Sequence, residues 1–233
     1  MRRTALITGA SSGIGAATAL ALAPSWNLVL VARRRERLDA LAARIIAAGG
    51  QAWAVDADLA RPEEAQRVVT AAVALAGGLD ALVNNARAFA TAPVERVDAA
   101  HIAGLFPLNL RAPILLAAAA IPYLEQQGGG TIINVTSVAA DATFAGCAVY
   151  AASKAGLEAW SRVAREELRA KRIRVGVIAP GATATEVWPA DNTFDRTRMC
   201  RPEDIAAAIR LMLEAPAATS IDRLIVTPAA GAF

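Results

Sequence analysis

The chain has 233 residues, 55% hydrophobic but only 5% aromatic, which suits one large core of small aliphatic side chains and leaves little room for two domains. A formal net charge of +3, with the densest basic run at Arg33, Arg34 and Arg35, is too mild for a nucleic-acid binder and matches a small anionic ligand. Two distant cysteines, Cys147 and Cys200, and one histidine, His101 at a helix start, exclude a CxxC pair, a multi-histidine metal site and a Ser-His-Asp hydrolase, and free thiols point to a reducing compartment.

In chain order, apolar runs of β character alternate with longer stretches of helical period. Strands are expected at 4–8, 27–31, 51–55, 79–84, 131–136, 172–178 and 223–226, and helices at 13–23, 36–48, 62–75, 99–127, 150–170 and 202–213. The helix at 99–127 is expected to break at Pro107 or Pro113, since proline lacks the donor a helix interior needs. Pro62 and Pro202 sit in first helical turns, as start signals should. Several strands are apolar nearly throughout, which marks them as covered on both faces. The expected fold is α/β: a doubly wound, seven-stranded parallel sheet between two helical layers, in one domain spanning 1–233. The irregular stretch 181–200 follows the sixth strand, at the carboxyl edge where such folds bind ligands. No leader and no membrane span is expected, because the N-terminal run is short and the apolar stretch 114–120 is bracketed by Pro113 and Pro122. A cytoplasmic protein without nucleic-acid or membrane partners follows.

The first strand runs into Thr8, Gly9, Ala10, Ser11, Ser12, Gly13, Ile14 and Gly15. Glycines permit a tight strand-to-helix turn and let the backbone approach a pyrophosphate seated on free helix amides. The spacing Gly-x3-Gly-x-Gly differs from the commoner Gly-x-Gly-x-x-Gly, and a purely structural turn is an equal reading of it alone. The second strand changes the balance. Ala32 stands where an acidic residue would accept a ribose 2′-hydroxyl, and Arg33 and Arg34 follow it. A guanidinium matches a 2′-phosphate instead, and three positive charges at a helix start are unfavourable without an anion. NADP(H) is therefore preferred over NAD(H).

Further on, Ser137 follows the fifth strand, and the next helix opens with Tyr150 and Lys154. Residues four apart share a helix face, and an ammonium beside a phenol lowers a pKa that is ordinarily about 10. Such a tyrosine can exchange a proton with a substrate oxygen, which Ser137 would hold. Taken alone, a Tyr-x-x-x-Lys pair reads as well as a surface contact. Cys147 lies three residues before Tyr150, and Trp188 lies in the loop 181–200. Both are candidates for the substrate cleft, with plain packing as the alternative.

Together these segments resemble the short-chain dehydrogenase/reductase family. The resemblance rests on Thr8 to Gly15, on Asn84, Asn85 and Ala86, on Asn109, Ser137, Tyr150 and Lys154, and on Pro180 and Gly181, all in the family's order and spacing. It covers essentially the whole chain and implies a Rossmann-like fold. It implies that Thr8, Gly9, Ser11, Ser12, Gly13, Ile14 and Gly15 hold the pyrophosphate and adjoining ribose, while Asp58 and Leu59 reach the adenine. Asn84 and Ala86 would support the cofactor from the fourth strand, and Pro180, Gly181, Thr183 and Thr185 would lie beside the nicotinamide. Asn109 would anchor a water that relays protons through Lys154 to Tyr150. Hydride would pass between the cofactor and a carbonyl or alcohol carbon of a small metabolite. The resemblance also implies a homodimer or homotetramer, with interfaces on the helix that begins at Tyr150 and on the last helix and strand.

One position departs from the pattern. The family usually writes Asn-Asn-Ala-Gly, and this chain has Arg87 at the fourth place. That side chain points outward harmlessly, crowds the cofactor, or recruits an acidic substrate to the cleft. A dehydratase or epimerase, and a non-catalytic NADP(H)-binding regulator, are the competing functions. The intact Ser137, Tyr150 and Lys154 favour redox chemistry.

Overall fold

The computed structural model describes residues 2–188 and 195–231. Strands and helices alternate in the order β1 (Arg3–Thr8), α1 (Gly13–Leu22), β2 (Trp26–Ala32), α2 (Arg35–Ala47), β3 (Gln51–Asp56), α3 (Glu64–Ala76) and β4 (Ala81–Asn84). There follow α4 (Ala99–Phe106), α5 (Ala112–Gln126), β5 (Gly130–Val135), α6 (Ala148–Leu168), β6 (Ile173–Pro180), α7 (Pro202–Glu214) and β7 (Arg223–Val226). The seven strands form one sheet in the order β3-β2-β1-β4-β5-β6-β7, and every pair is parallel.

Alternation along each strand divides the core into two layers. In β1, Ala5 and Ile7 face a cluster completed by Leu22, Leu38, Ile45, Ile209 and Leu213 from α1, α2 and α7. Leu6 faces the other side, with Val68, Leu116, Ala117 and Leu168 from α3, α5 and α6. The result is the expected three-layer, Rossmann-like α/β/α arrangement. The chain winds outward from β1 to β3 and then returns to β4 on the far side of β1, so the ends of β1 and β4 border the crevice where ligands bind in open α/β sheets. One hydroxyl fastens them together there. Thr8 Oγ1 accepts the amides of Asn85 at 2.9 Å and Ala86 at 3.0 Å, and donates to the Val83 carbonyl at 3.3 Å.

The long helix departs from expectation. It is not broken: α4 and α5 join through a π-helical turn, Pro107–Arg111, which absorbs Pro107 by widening the helix locally rather than ending it. Pro113 sits in the first turn of α5, and Pro122 is accommodated inside it. Residues Ala99–Gln126 therefore form one helix of 28 residues, long and apolar enough by length and composition to cross a membrane. This overturns the reading that no segment meets that criterion. The fold uses the helix as a layer element, with Leu116, Ala117, Ala120 and Leu124 in the second core cluster. Pro189, of the Trp188–Pro189 pair, lies outside the described residues, as does the rest of 189–194.

Candidate active site

At the carboxyl end of β1 the chain turns through Gly9 at φ +66° and Gly13 at φ +52°, a left-handed conformation that favours glycine. Gly15 serves a different purpose: a Cβ there would lie 2.3 Å from the Gly9 carbonyl oxygen, so its bareness lets α1 start hard against the turn. The Ser12 hydroxyl makes no cap, and the first turn of α1 carries no acidic residue. Its free amides and positive dipole end therefore face the crevice. The turn lines a cavity of about 310 Å³ that extends to Ala32, Arg33 and Arg34 after β2, Asp58 and Leu59 after β3, Ala86 and Arg87 after β4, and Thr185 after β6.

The three arginines have separate fates. Arg35 opens α2 and pairs with Asp39 and Asp56. Arg34 donates to the Ser11 and Ser12 hydroxyls and pairs with Glu186 at 2.8 Å. Arg33 is exposed, lines the cavity and has no ion pair among the described residues. A cradle of bare glycines, open helix amides and one unpaired guanidinium at the second strand fits a phosphorylated dinucleotide.

Around Tyr150 the site is made of buried side chains. The turn Val138–Ala140 places Ser137 at its start, where its hydroxyl accepts the Ala139 amide at 3.1 Å. Tyr150 is the third residue of α6 and is 5% exposed. Burial raises its phenol above the ordinary value, opposed first by the charge of Arg87 and then by the Ser137 hydroxyl. One turn on, Lys154 is buried with its Nζ donating to the Val135 carbonyl at 3.0 Å and lying 5.9 Å from the Tyr150 ring centre. Burial, aided by Arg87, lowers its ammonium to about 7. The expectation that Lys154 is the cation pulling on Tyr150 thus changes: in this arrangement Arg87 is the first cation to act on the phenol.

Asn109 sits in the π-turn, fully buried. Its side chain accepts the Ala88 amide at 2.8 Å, donates to the Ala88 carbonyl at 3.0 Å, and donates to Ser153 at 3.2 Å. Ser153 in turn donates to the Tyr150 carbonyl at 2.7 Å. The side chain is fully engaged in locking the segment after β4 to α6. Its main-chain carbonyl cannot receive an α-type bond from Pro113, four residues on, which has no N–H.

A short chain dehydrogenase family profile matches residues 3–195. The chain belongs to the short-chain dehydrogenase/reductase family. It is similar to a 3-oxoacyl-[acyl-carrier-protein] reductase of Synechocystis sp., 35% identical over 94% of this chain and 92% of that protein. Among solved structures it resembles a metagenomic short-chain oxidoreductase in complex with NADP, 34% identical with a TM-score of 0.86 over 97% of both chains. It also resembles a 7α-hydroxysteroid dehydrogenase complexed with NADH and 7-oxo glycochenodeoxycholic acid, 29% identical with a TM-score of 0.90 over 97% of this chain and 93% of that one. The protein is an oxidoreductase of this family.

Several residues that the family resemblance assigned to the cofactor do not reach the cavity. Thr8 is spent on the β1–β4 fastening. Asn84 is turned into the sheet, donating to Asn134 Oδ1 at 2.9 Å, while its neighbour Asn85 lines the cavity and donates to the Thr8 carbonyl at 2.8 Å. Gly15 packs, Pro180 ends β6, and Thr183 donates to the Gly181 carbonyl at 3.0 Å. The amide of Gly181 donates to Val226. Cys147 does lie beside Tyr150, close enough to act on its phenol. Trp188 donates to the Thr183 carbonyl and stands 6.2 Å from Phe89, whose ring meets Tyr150 edge-on at 5.0 Å. Phe89 and Phe144, which packs against the Tyr150 cluster, were not anticipated. Nothing in a Phe five residues after a strand announces such a role, since the contact is made across the fold.

Proposed function

We propose that this dehydrogenase interconverts a carbonyl and an alcohol on a small metabolite with an apolar body, using NADP(H) in preference to NAD(H). The observation that carries the proposal is Tyr150, buried against the Ser137 hydroxyl and faced by Arg87, which also lines the glycine-turn cavity. When bound, the nicotinamide supplies or accepts the hydride. With its phenol raised by burial, Tyr150 keeps its proton at neutral pH and can deliver it to a carbonyl oxygen, acting as general acid in the reductive direction. Ser137 donates to the same oxygen and holds it. Lys154, poised near 7, returns a proton towards Tyr150, and the Asn109 carbonyl holds the water that supplies it. Phe89, Phe144 and Trp188 form an apolar wall for the substrate body. The Ala32–Arg33 pair carries the cofactor preference, since it offers a cation and no ribose acceptor.

Two wider expectations belong with this reading. A homo-oligomer is favoured by Val163 on α6, Leu211 on α7 and Ile225 on β7, each more than half exposed on the elements the family uses for assembly. Its check is the mass in solution and its response to Leu211→Glu. A cytoplasmic setting accords with two free thiols. The reaction is tested by incubating the protein with NADPH and a panel of aldehydes and ketones and following nicotinamide absorbance. Turnover that vanishes in Tyr150→Phe supports the assignment. Tight NADPH binding with no turnover across the panel would favour a regulator instead.

A further inference from the structure

Arg87 stands where the family writes glycine, and neither neighbour lets its backbone drift. The Ala86 amide is held by Thr8 Oγ1 at 3.0 Å, and both main-chain groups of Ala88 are held by the Asn109 side chain. Arg87 itself is not among the residues at positive φ, so the substitution carries no backbone strain. The side chain does not point away from the site. It crosses the crevice, and its Nη2 donates to Thr185 Oγ1 at 3.1 Å. Thr185 is buried, and its methyl lies over the glycine turn, 3.0 Å from where a Gly13 Cβ would be. The Arg87 guanidinium is thereby brought to the crevice rim next to the N-terminus of α1.

That is an unfavourable place for a cation. The helix presents its positive end, its first turn has no acidic residue, and Arg87 has no ion pair among the described residues. Of the two carboxylates lining the cavity, Glu186 is shared by Arg34 and Arg37, and Asp58 forms no ion pair with Arg87 among the described residues. A half-buried guanidinium facing open amides is stabilised only if an anion sits between them. The guanidinium acts on the Tyr150 phenol at one end, and the cavity it lines contains the glycine turn, so an anion seated on that turn lies on its cofactor side.

We propose that Arg87 is a ligand of the cofactor pyrophosphate, a cationic contact this chain has added opposite the helix amides. This rests on the dinucleotide reading above and deepens it. To hold a phosphate oxygen the guanidinium would give up the Thr185 hydroxyl and draw back from the Tyr150 phenol. Because the pyrophosphate is common to both nicotinamide cofactors, the contact adds affinity without selecting between them. That separates it from Arg33.

The test is equilibrium binding, read from nicotinamide fluorescence for NADPH and NADH and by calorimetry for adenosine 2′-monophosphate, which carries neither phosphate of the pyrophosphate. Arg87→Gly, which restores the family residue, is expected to raise the Kd of NADPH and NADH by the same factor, about tenfold or more, as befits a charged hydrogen bond. The monophosphate should bind unchanged. Arg87→Gln, which keeps the length and drops the charge, should lose nearly as much. Arg33→Ala should give the opposite pattern, weakening NADPH and the monophosphate while sparing NADH. Unchanged or tighter dinucleotide binding in Arg87→Gly would overturn the proposal and make the side chain a mere obstruction. A loss confined to the KM of carboxylate-bearing substrates would overturn it in favour of a substrate anchor. Failure of the unsubstituted protein to bind either dinucleotide would instead defeat the underlying reading.

Discussion

The turn after β1 and the segment after β4 touch each other and border one crevice, but they are built on opposite principles. The first works through missing side chains: two left-handed glycines and a third whose Cβ would strike the Gly9 carbonyl. The second works through side chains whose partners are far away in sequence. Asn85 reaches back to Thr8, Asn109 clamps Ala88, and Arg87 crosses to Thr185. Where geometry excludes a side chain, residue type reports it directly. Where geometry is made by contacts, residue type reports little until the fold is known.

If that division holds, damage on the two sides should look different. The largest effect is expected from Tyr150→Phe, which should lower turnover on the order of 10³-fold, as for a lost general acid, with NADPH binding and thermal midpoint nearly unchanged. Weakened NADPH binding in that variant would blur the division. Gly15→Ala should strike the backbone side: the new methyl must displace the Gly9 carbonyl, costing about 3 kcal/mol in urea unfolding and loosening both NADPH and NADH. Loss of stability with cofactor affinity intact would show that turn and cradle are separable. Arg33→Ala is smaller, about a tenfold loss of NADPH over NADH preference, read from the two Kd values.

A last effect is one of pH, spread over several units. Lys154 titrates near 7 in the folded chain against an ordinary 10.5. Between those values the unfolded chain holds a proton that the folded chain has released, so this group makes stability rise with pH from about 7 to about 10. Below 7 both states are protonated and its contribution is flat. Lys154→Met should remove that rise, visible as the difference between the two proteins' urea midpoints across the range. A difference independent of pH would place the Lys154 ammonium in solvent or beside an anion.

The sheet, its seven strands and the layer order were legible because several strands are apolar nearly throughout and alternate with longer stretches of helical character. The break expected at Pro107 or Pro113 was not, because a π-turn can accommodate a proline that the α pattern cannot. The glycine turn could be read from its residues, whereas the Ser137, Tyr150 and Lys154 set was assembled only by the family resemblance. Asn84 and Asn85 could not be told apart, since a one-residue step at a strand end decides which side chain faces the crevice. The direction of Arg87 was equally hidden, because it depends on Thr185, nearly a hundred positions later. The apolar wall of Phe89 and Phe144 left no trace in any local pattern.

Thr8 has a consequence beyond the site it borders. Its single hydroxyl satisfies two amides and one carbonyl at the place where the sheet's two windings part. The seam between β1 and β4 is therefore fastened beneath the crevice by a hydroxyl in addition to the strand ladder, like a rivet through two plates. Thr8→Val would keep the shape and remove the rivet, letting the two plates slide.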